Sequence, residues 1–180
     1  MANETQAEQS GGADPRGLVH LDARGAAWMV DVGGKPVTER TARARAEVEL
    51  GEELLETFFG GGLRKGDGPA VARIAGIQAA KETARLIPLC HPVPLTAVQV
   101  DVERGAEPGI VEIRSTARTV GVTGVEMEAL TAVSVAALAV YDMCKSVQRG
   151  IRIRVVELVE KTGGVRGDWR RATPPPASAE

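Results

Sequence analysis

Three charged residues stand where an acid–base apparatus can be assembled. In Tyr141-Asp142-Met143-Cys144-Lys145 the aspartate and the lysine are three apart, so on a helix they share nearly one face. The stretch before them, Val133 to Val140, is almost wholly apolar and small. An ion pair at the edge of so dry a stretch is expected to be partly buried, where an aspartate can hold a lysine and tune it for proton transfer. The plainer alternative is an exposed pair worth roughly a few tenths of a kcal/mol. Lys65 sits in the glycine-dense loop Gly60 to Gly68. That loop is either a solvated turn or a mobile segment carrying a cation over an anionic ligand, with Gly61, Gly62, Gly66 and Gly68 as hinges.

A second set of residues suits ring and phosphate recognition. His91 follows Leu89-Cys90 between Pro88 and Pro92, a rigid loop able to fix an imidazole against a planar ring or a phosphate. A core histidine satisfied by a backbone carbonyl is the competing explanation, and Cys90 packs more often than it reacts. Glu126, Met127 and Glu128 open a helix. A capping box from Thr123 to Glu126 accounts for the first acid, while Glu128 can bind the N–H edge of a purine or pterin. Met127 suits a ring-binding face, although core packing is its commoner role. Arg40, Lys35, Lys81 and Lys161 are candidate phosphate partners, each also explicable as a solvated surface cation.

Glu128 and Asp142 lie 14 residues apart on one predicted helix, about 21 Å at ~1.5 Å per residue. One nucleotide-sized ligand cannot touch both from a single chain. Either the site is shared between subunits, or the two acids serve different sites.

Some chemistry is excluded. There is no G-x-x-x-x-G-K-[ST] loop, no G-x-G-x-x-G turn and no C-x₂-C spacing, so the usual phosphate cradles and a structural zinc are not expected. No metal or cofactor is assigned. A net charge of −2 offers no whole-molecule field for nucleic acid or an anionic membrane, so cations must act locally.

The elements that must position these residues can be read from hydrophobic period. Thr41 to Leu50 alternates strictly, with Ala42, Ala44, Ala46, Val48 and Leu50 on one face and charged residues on the other. Gly51 to Phe59 predicts a short helix. Pro69 to Leu86 predicts a longer one, with Val71, Ile74 and Gln78 at helical spacing and small residues such as Ala75, Gly76 and Ala79 permitting close packing. Alternation around Val98 to Val102 and Val111 to Arg118, joined by Arg104 to Gly109, predicts a hairpin. A long helix over about Val125 to Val147 and a final strand from Ile151 complete the order. This βαββαβ pattern predicts an α+β ferredoxin-like sandwich, an antiparallel sheet with two main helices on one face, plus an extra N-terminal strand near Ala27 to Val32.

Residues 1–17 and 170–180 are polar or proline-rich and are expected to be disordered tails around one domain spanning 18–169. The first 17 residues lack an apolar h-region, no run approaches a membrane span, and Cys90 and Cys144 form no disulfide framework. A cytoplasmic protein is expected.

Several stretches resemble the MoaC family, the cyclic pyranopterin monophosphate synthases of molybdenum cofactor biosynthesis. They are Met29-Val30-Asp31-Val32, Lys65-Gly66-Asp67, Ala72 to Ile77 and Leu86 to Pro92, together with Thr123 to Ala132 and Tyr141 to Lys145. The resemblance runs in order from about Leu18 to Trp169. It implies a lyase that converts 3′,8-cyclo-7,8-dihydroguanosine 5′-triphosphate to cyclic pyranopterin monophosphate and releases pyrophosphate. It implies a homohexamer, a trimer of dimers with intersubunit active sites. It further implies that Asp142, Lys65 and Lys145 are catalytic. Leu89, Cys90 and His91, with Met127 and Glu128, would contact substrate, while Arg40 and Lys161 would lie near the triphosphate. Proton transfer by a lysine of lowered pKa fits this chemistry. Two departures stand out: Gly68-Pro69 replaces larger apolar residues, and Val165-Arg166 follows Gly163-Gly164 where the family has a lysine and a small residue, leaving Arg166 as a substitute cation.

Three rivals remain on the residues alone. A ligand-binding regulator would not need Lys65, Asp142 and Lys145 together. An RNA-binding module would present strand aromatics, which the alternating strands lack. A metal-dependent hydrolase would lose activity to a chelator.

Overall fold

Strand β1 (Thr38–Glu49) organises the sheet, and its alternation explains why. Ala42, Ala44, Ala46 and Val48 are buried on one face, and the charged residues between them lie on the other. The structure, a computed structural model, describes residues 25–172. The tail expected at 1–17, His20 and the chain from 173 onward lie outside them.

Helices α1 (Glu52–Phe59) and α2 (Gly68–Leu86) follow β1. The hairpin β2 (Leu95–Arg104) and β3 (Ile110–Gly121), helix α3 (Glu126–Cys144), and strands β4 (Arg152–Thr162) and β5 (Trp169–Arg170) complete the order. The sheet runs β2-β3-β1-β4-β5 with every pair antiparallel. This is the expected α+β ferredoxin-like sandwich, with α1 inserted before α2 and β5 added at one edge. Trp169 and Arg170 pair with Lys161 and Glu160, so the ladder continues into the segment expected to be a tail.

Small residues set the helix–sheet distance. Ala129, Ala132, Ala136 and Ala137 of α3 are fully buried beside the alanines of β1. A Cβ at Gly76 of α2 would stand 2.9 Å from the Ala132 carbonyl oxygen of α3, so only glycine permits that crossing. Large apolar volume is concentrated elsewhere, in Phe58, Leu50 and Ile113. By length and composition α3 is apolar enough to cross a membrane, but most of its apolar residues belong to the core.

Two expectations differ from what is observed. The extra strand at 27–32 is a single bridge at Ala27 followed by irregular chain. Thr123 does not cap α3: the helix starts two residues later, with Val125 at the cap and no side-chain cap bond. On α2 the small residues expected to permit close packing do so: Gly76 and Ala79 are buried with Ala72, Ala80 and Thr83, while Val71, Ile74 and Gln78 face outward. The close crossing with α3 excludes larger side chains from that inner face.

Candidate active site

The loop 60–67 between α1 and α2 carries Lys65 to the last turn of α3. Gly66, with φ 98°, and the Gly66 N–H bond to the Leu63 carbonyl turn the chain there. Asp67 then caps α2 by accepting from the Ala70 N–H at 2.9 Å. Gly68 is also required: a Cβ there would enter the ring of fully buried Phe58, 2.6 Å from Cδ2. The small residue at 68 is therefore matched to Phe58.

Lys65, Asp142 and Lys145 converge. Lys65 Nζ donates to Asp142 Oδ2 at 2.7 Å and to the Asp142 backbone carbonyl at 2.6 Å. Lys145 Nζ meets the other carboxylate oxygen, Oδ1, at 2.7 Å. Lys145 first, and Lys65 second, hold the Asp142 carboxyl down at about 2. Two expectations are corrected here. The trio is exposed rather than partly buried, with the Asp142 side chain 55% accessible, because Val140, Met143 and Cys144 take the inner face of the last turn. The pKa of Lys145 is raised, not lowered, by its bond to the Asp142 carboxylate.

A second centre lies by the N-terminal end of α3. A cavity of about 450 Å³ is lined by Arg40, His91, Lys161, Lys35, Arg166 and Glu126, among others. Arg40 is only 8% exposed. Its Nε and Nη2 donate to the carbonyls of Gly121 and Val122, both at 3.0 Å, and no carboxylate meets it among the described residues. A buried guanidinium without a counter-charge is costly, and an arriving anion would offset that cost. His91 Nε2 bonds the Val30 carbonyl at 2.8 Å, pinning the irregular N-terminal segment beside the cavity. The backbone-satisfied histidine and the cavity-lining histidine are thus the same residue.

Glu128 is 4% exposed, and burial, followed by the charge of Glu126, raises its carboxyl pKa. Burial, then Glu128, pushes up the Cys90 thiol. Leu89 and Met127 are half-buried. Lys81 is exposed on α2 and does not line the cavity. Among the described residues no group of His, Cys, Asp and Glu is placed to hold a metal ion.

Lys81 apart, the sequence-predicted residues therefore fall into two groups at opposite ends of α3. The turn that seats Arg40, Gly163-Gly164 with Asp168 beyond it, was not singled out as functional. The adjacent glycines ahead of an aspartate were its only signal.

Residues 29–164, which hold every one of these positions except Arg166 and Asp168, match the MoaC family. The chain belongs to the MoaC family. Its relatives carry one name. A cyclic pyranopterin monophosphate synthase of Thermomicrobium roseum is 58% identical over 154 residues, covering 86% of this chain and 93% of the relative. That of Pelotomaculum thermopropionicum is 56% identical over 155 residues, 86% and 91% of the two chains. That of Herpetosiphon aurantiacus is 52% identical over 163 residues, covering 91% of this chain and 99% of the relative. Membership in the MoaC family makes this chain an enzyme on a ferredoxin-like sandwich, which the fold alone could not decide.

Proposed function

We propose that this chain is a lyase of molybdenum cofactor biosynthesis. It converts 3′,8-cyclo-7,8-dihydroguanosine 5′-triphosphate to cyclic pyranopterin monophosphate and releases pyrophosphate. The observation that carries this reading is the convergence of two lysines on one aspartate, within a chain that also lines a cavity with four cations, one of them the buried Arg40. In this reading Arg40 and Lys161, helped by Lys35 and Arg166, hold the triphosphate and stabilise charge on the departing pyrophosphate. Glu128 accepts hydrogen bonds from the N–H edge of the guanine-derived ring, beside Leu89, Cys90, His91 and Met127. Lys65 and Lys145 move protons while the rings open and reclose, and Asp142 orients both.

The two centres are separated by most of α3, so one ligand meets both only across two copies. We propose a homohexamer, a trimer of dimers with active sites between subunits, working in the cytoplasm. Ile74 and Leu138, 58% and 57% exposed, leave apolar surface on α2 and α3 that such an assembly would cover. Incubation with the cyclised GTP derivative should release pyrophosphate in proportion to pterin product. Ligand binding without pyrophosphate release would favour a regulator and end the lyase reading.

A further inference from the structure

Arg40 is clamped between two stretches of backbone. On one side are the Gly121 and Val122 carbonyls; on the other is the turn 162–168 between β4 and β5. Gly163 and Gly164 both adopt left-handed backbone, φ 83° and 79°. A side chain at Gly163 would run into the Glu39 carbonyl oxygen, and one at Gly164 would overlap the Arg40 guanidinium, 2.9 Å from Cζ. Only glycine meets both the conformation and the space.

Two consecutive glycines are also the costliest residues to order, so something must hold them. The Gly163 N–H donates to Asp168 Oδ1 at 2.9 Å, closing the turn from its far end. Within it, the Gly167 N–H donates to the Gly164 carbonyl at 3.1 Å and Lys161 Nζ donates to the Gly167 carbonyl at 3.0 Å. Asp168 thus fixes the backbone that lies on Arg40 and the carbonyl that orients Lys161.

We propose that Asp168 is a positioning residue: through the Gly163-Gly164 turn it holds Arg40 and Lys161 in place for the phosphate groups of the ligand. The assignment rests on reading this cavity as a polyphosphate site. Asp168 touches no reacting atom. Without its anchor the glycines regain freedom, Arg40 loses one wall, and reordering both falls on the binding step. Proton transfer at Lys65 and Lys145 is untouched.

The test compares wild type, Asp168→Asn, Asp168→Ala and Gly164→Ala in steady-state turnover, and in calorimetric titration with pyrophosphate. Asp168→Ala should raise KM and the pyrophosphate Kd by about tenfold while kcat stays within about twofold. Asp168→Asn, which keeps an oxygen acceptor, should restore both. Gly164→Ala should move KM in the same direction by more, since it displaces the guanidinium itself. The proposal is overturned if Asp168→Ala leaves KM and Kd unchanged, if it lowers kcat alone, or if Asp168→Asn is as impaired as Asp168→Ala. Wild type that binds pyrophosphate but never releases it from substrate, with the Kd pattern intact, would remove the lyase reading and keep the positioning role.

Discussion

The two ends of α3 solve the problem of holding charge in opposite ways. At the C-terminal end three ionic groups satisfy one another in the open: Asp142 accepts from both lysines and stays exposed to water. At the N-terminal end Arg40 is buried against carbonyls with no opposing carboxylate among the described residues, and Glu128 is buried with a raised pKa. A paired, solvated cluster costs little to maintain, and its mutual bonds keep Asp142 and Lys145 charged. An unpaired, desolvated cation is costly until an anion arrives. The difference separates a group suited to chemistry from one suited to capture.

The largest expected effect breaks the exposed end. Asp142→Ala, Lys65→Ala and Lys145→Ala should each lower kcat by about 10²–10⁴-fold, followed as pyrophosphate release, with the sedimentation profile unchanged. Near-normal turnover in Asp142→Ala would remove the catalytic assignment. Next comes the buried end: Arg40→Met should weaken pyrophosphate binding by about 10–100-fold, because it deletes the desolvated charge while keeping most of the volume. Calorimetry checks it, and an unchanged Kd would show that the cavity does not capture phosphate through Arg40.

Titration sharpens the contrast. Asp142 has a depressed carboxyl, so its pairing adds stability that is fully present above the ordinary aspartate value and is lost as pH falls through about 2. Glu128 has a raised carboxyl, so its burial is harmless at low pH and weighs on the fold as pH rises through its folded value. Carboxyl NMR should find the two on opposite sides of the ordinary range. Glu128→Gln should raise Tm by about a few degrees at neutral pH and by nothing below about pH 4. A Tm that falls at neutral pH would mean that the carboxylate is stabilised by contacts that the burial picture omits.

Much of this was legible in the residues. The strict alternation of Thr41 to Leu50 dictates a half-buried strand, and β1 buries the expected face. The order of periods gives the sandwich. The spacing of Asp142 and Lys145 on a helix gives their contact, but nothing local to Lys65 says that its loop returns to Asp142, since a 77-residue separation is closed only by the packed fold. The small residues of α2 were a better guide: a helix pressed on another at Gly76 buries its smallest side chains, as their presence predicts. Burial of the ion pair was overestimated because apolar neighbours in sequence, Val140 and Cys144, lie on the opposite side of the helix from Asp142. The bond from the Gly163 N–H to Asp168 is hinted at only by two glycines ahead of an aspartate, because it depends on a turn that geometry reveals.

A helix that carries Glu128 near one tip and Asp142 near the other has, on the proposed function, a consequence for heredity. If each working centre draws on two subunits, a chain carrying Glu128→Ala and a chain carrying Asp142→Ala are separately defective, yet their heterodimer assembles one undamaged centre beside one doubly damaged centre. Two null alleles of this gene would then complement in trans, and mixed refolding of the two purified variants would recover turnover that neither possesses alone.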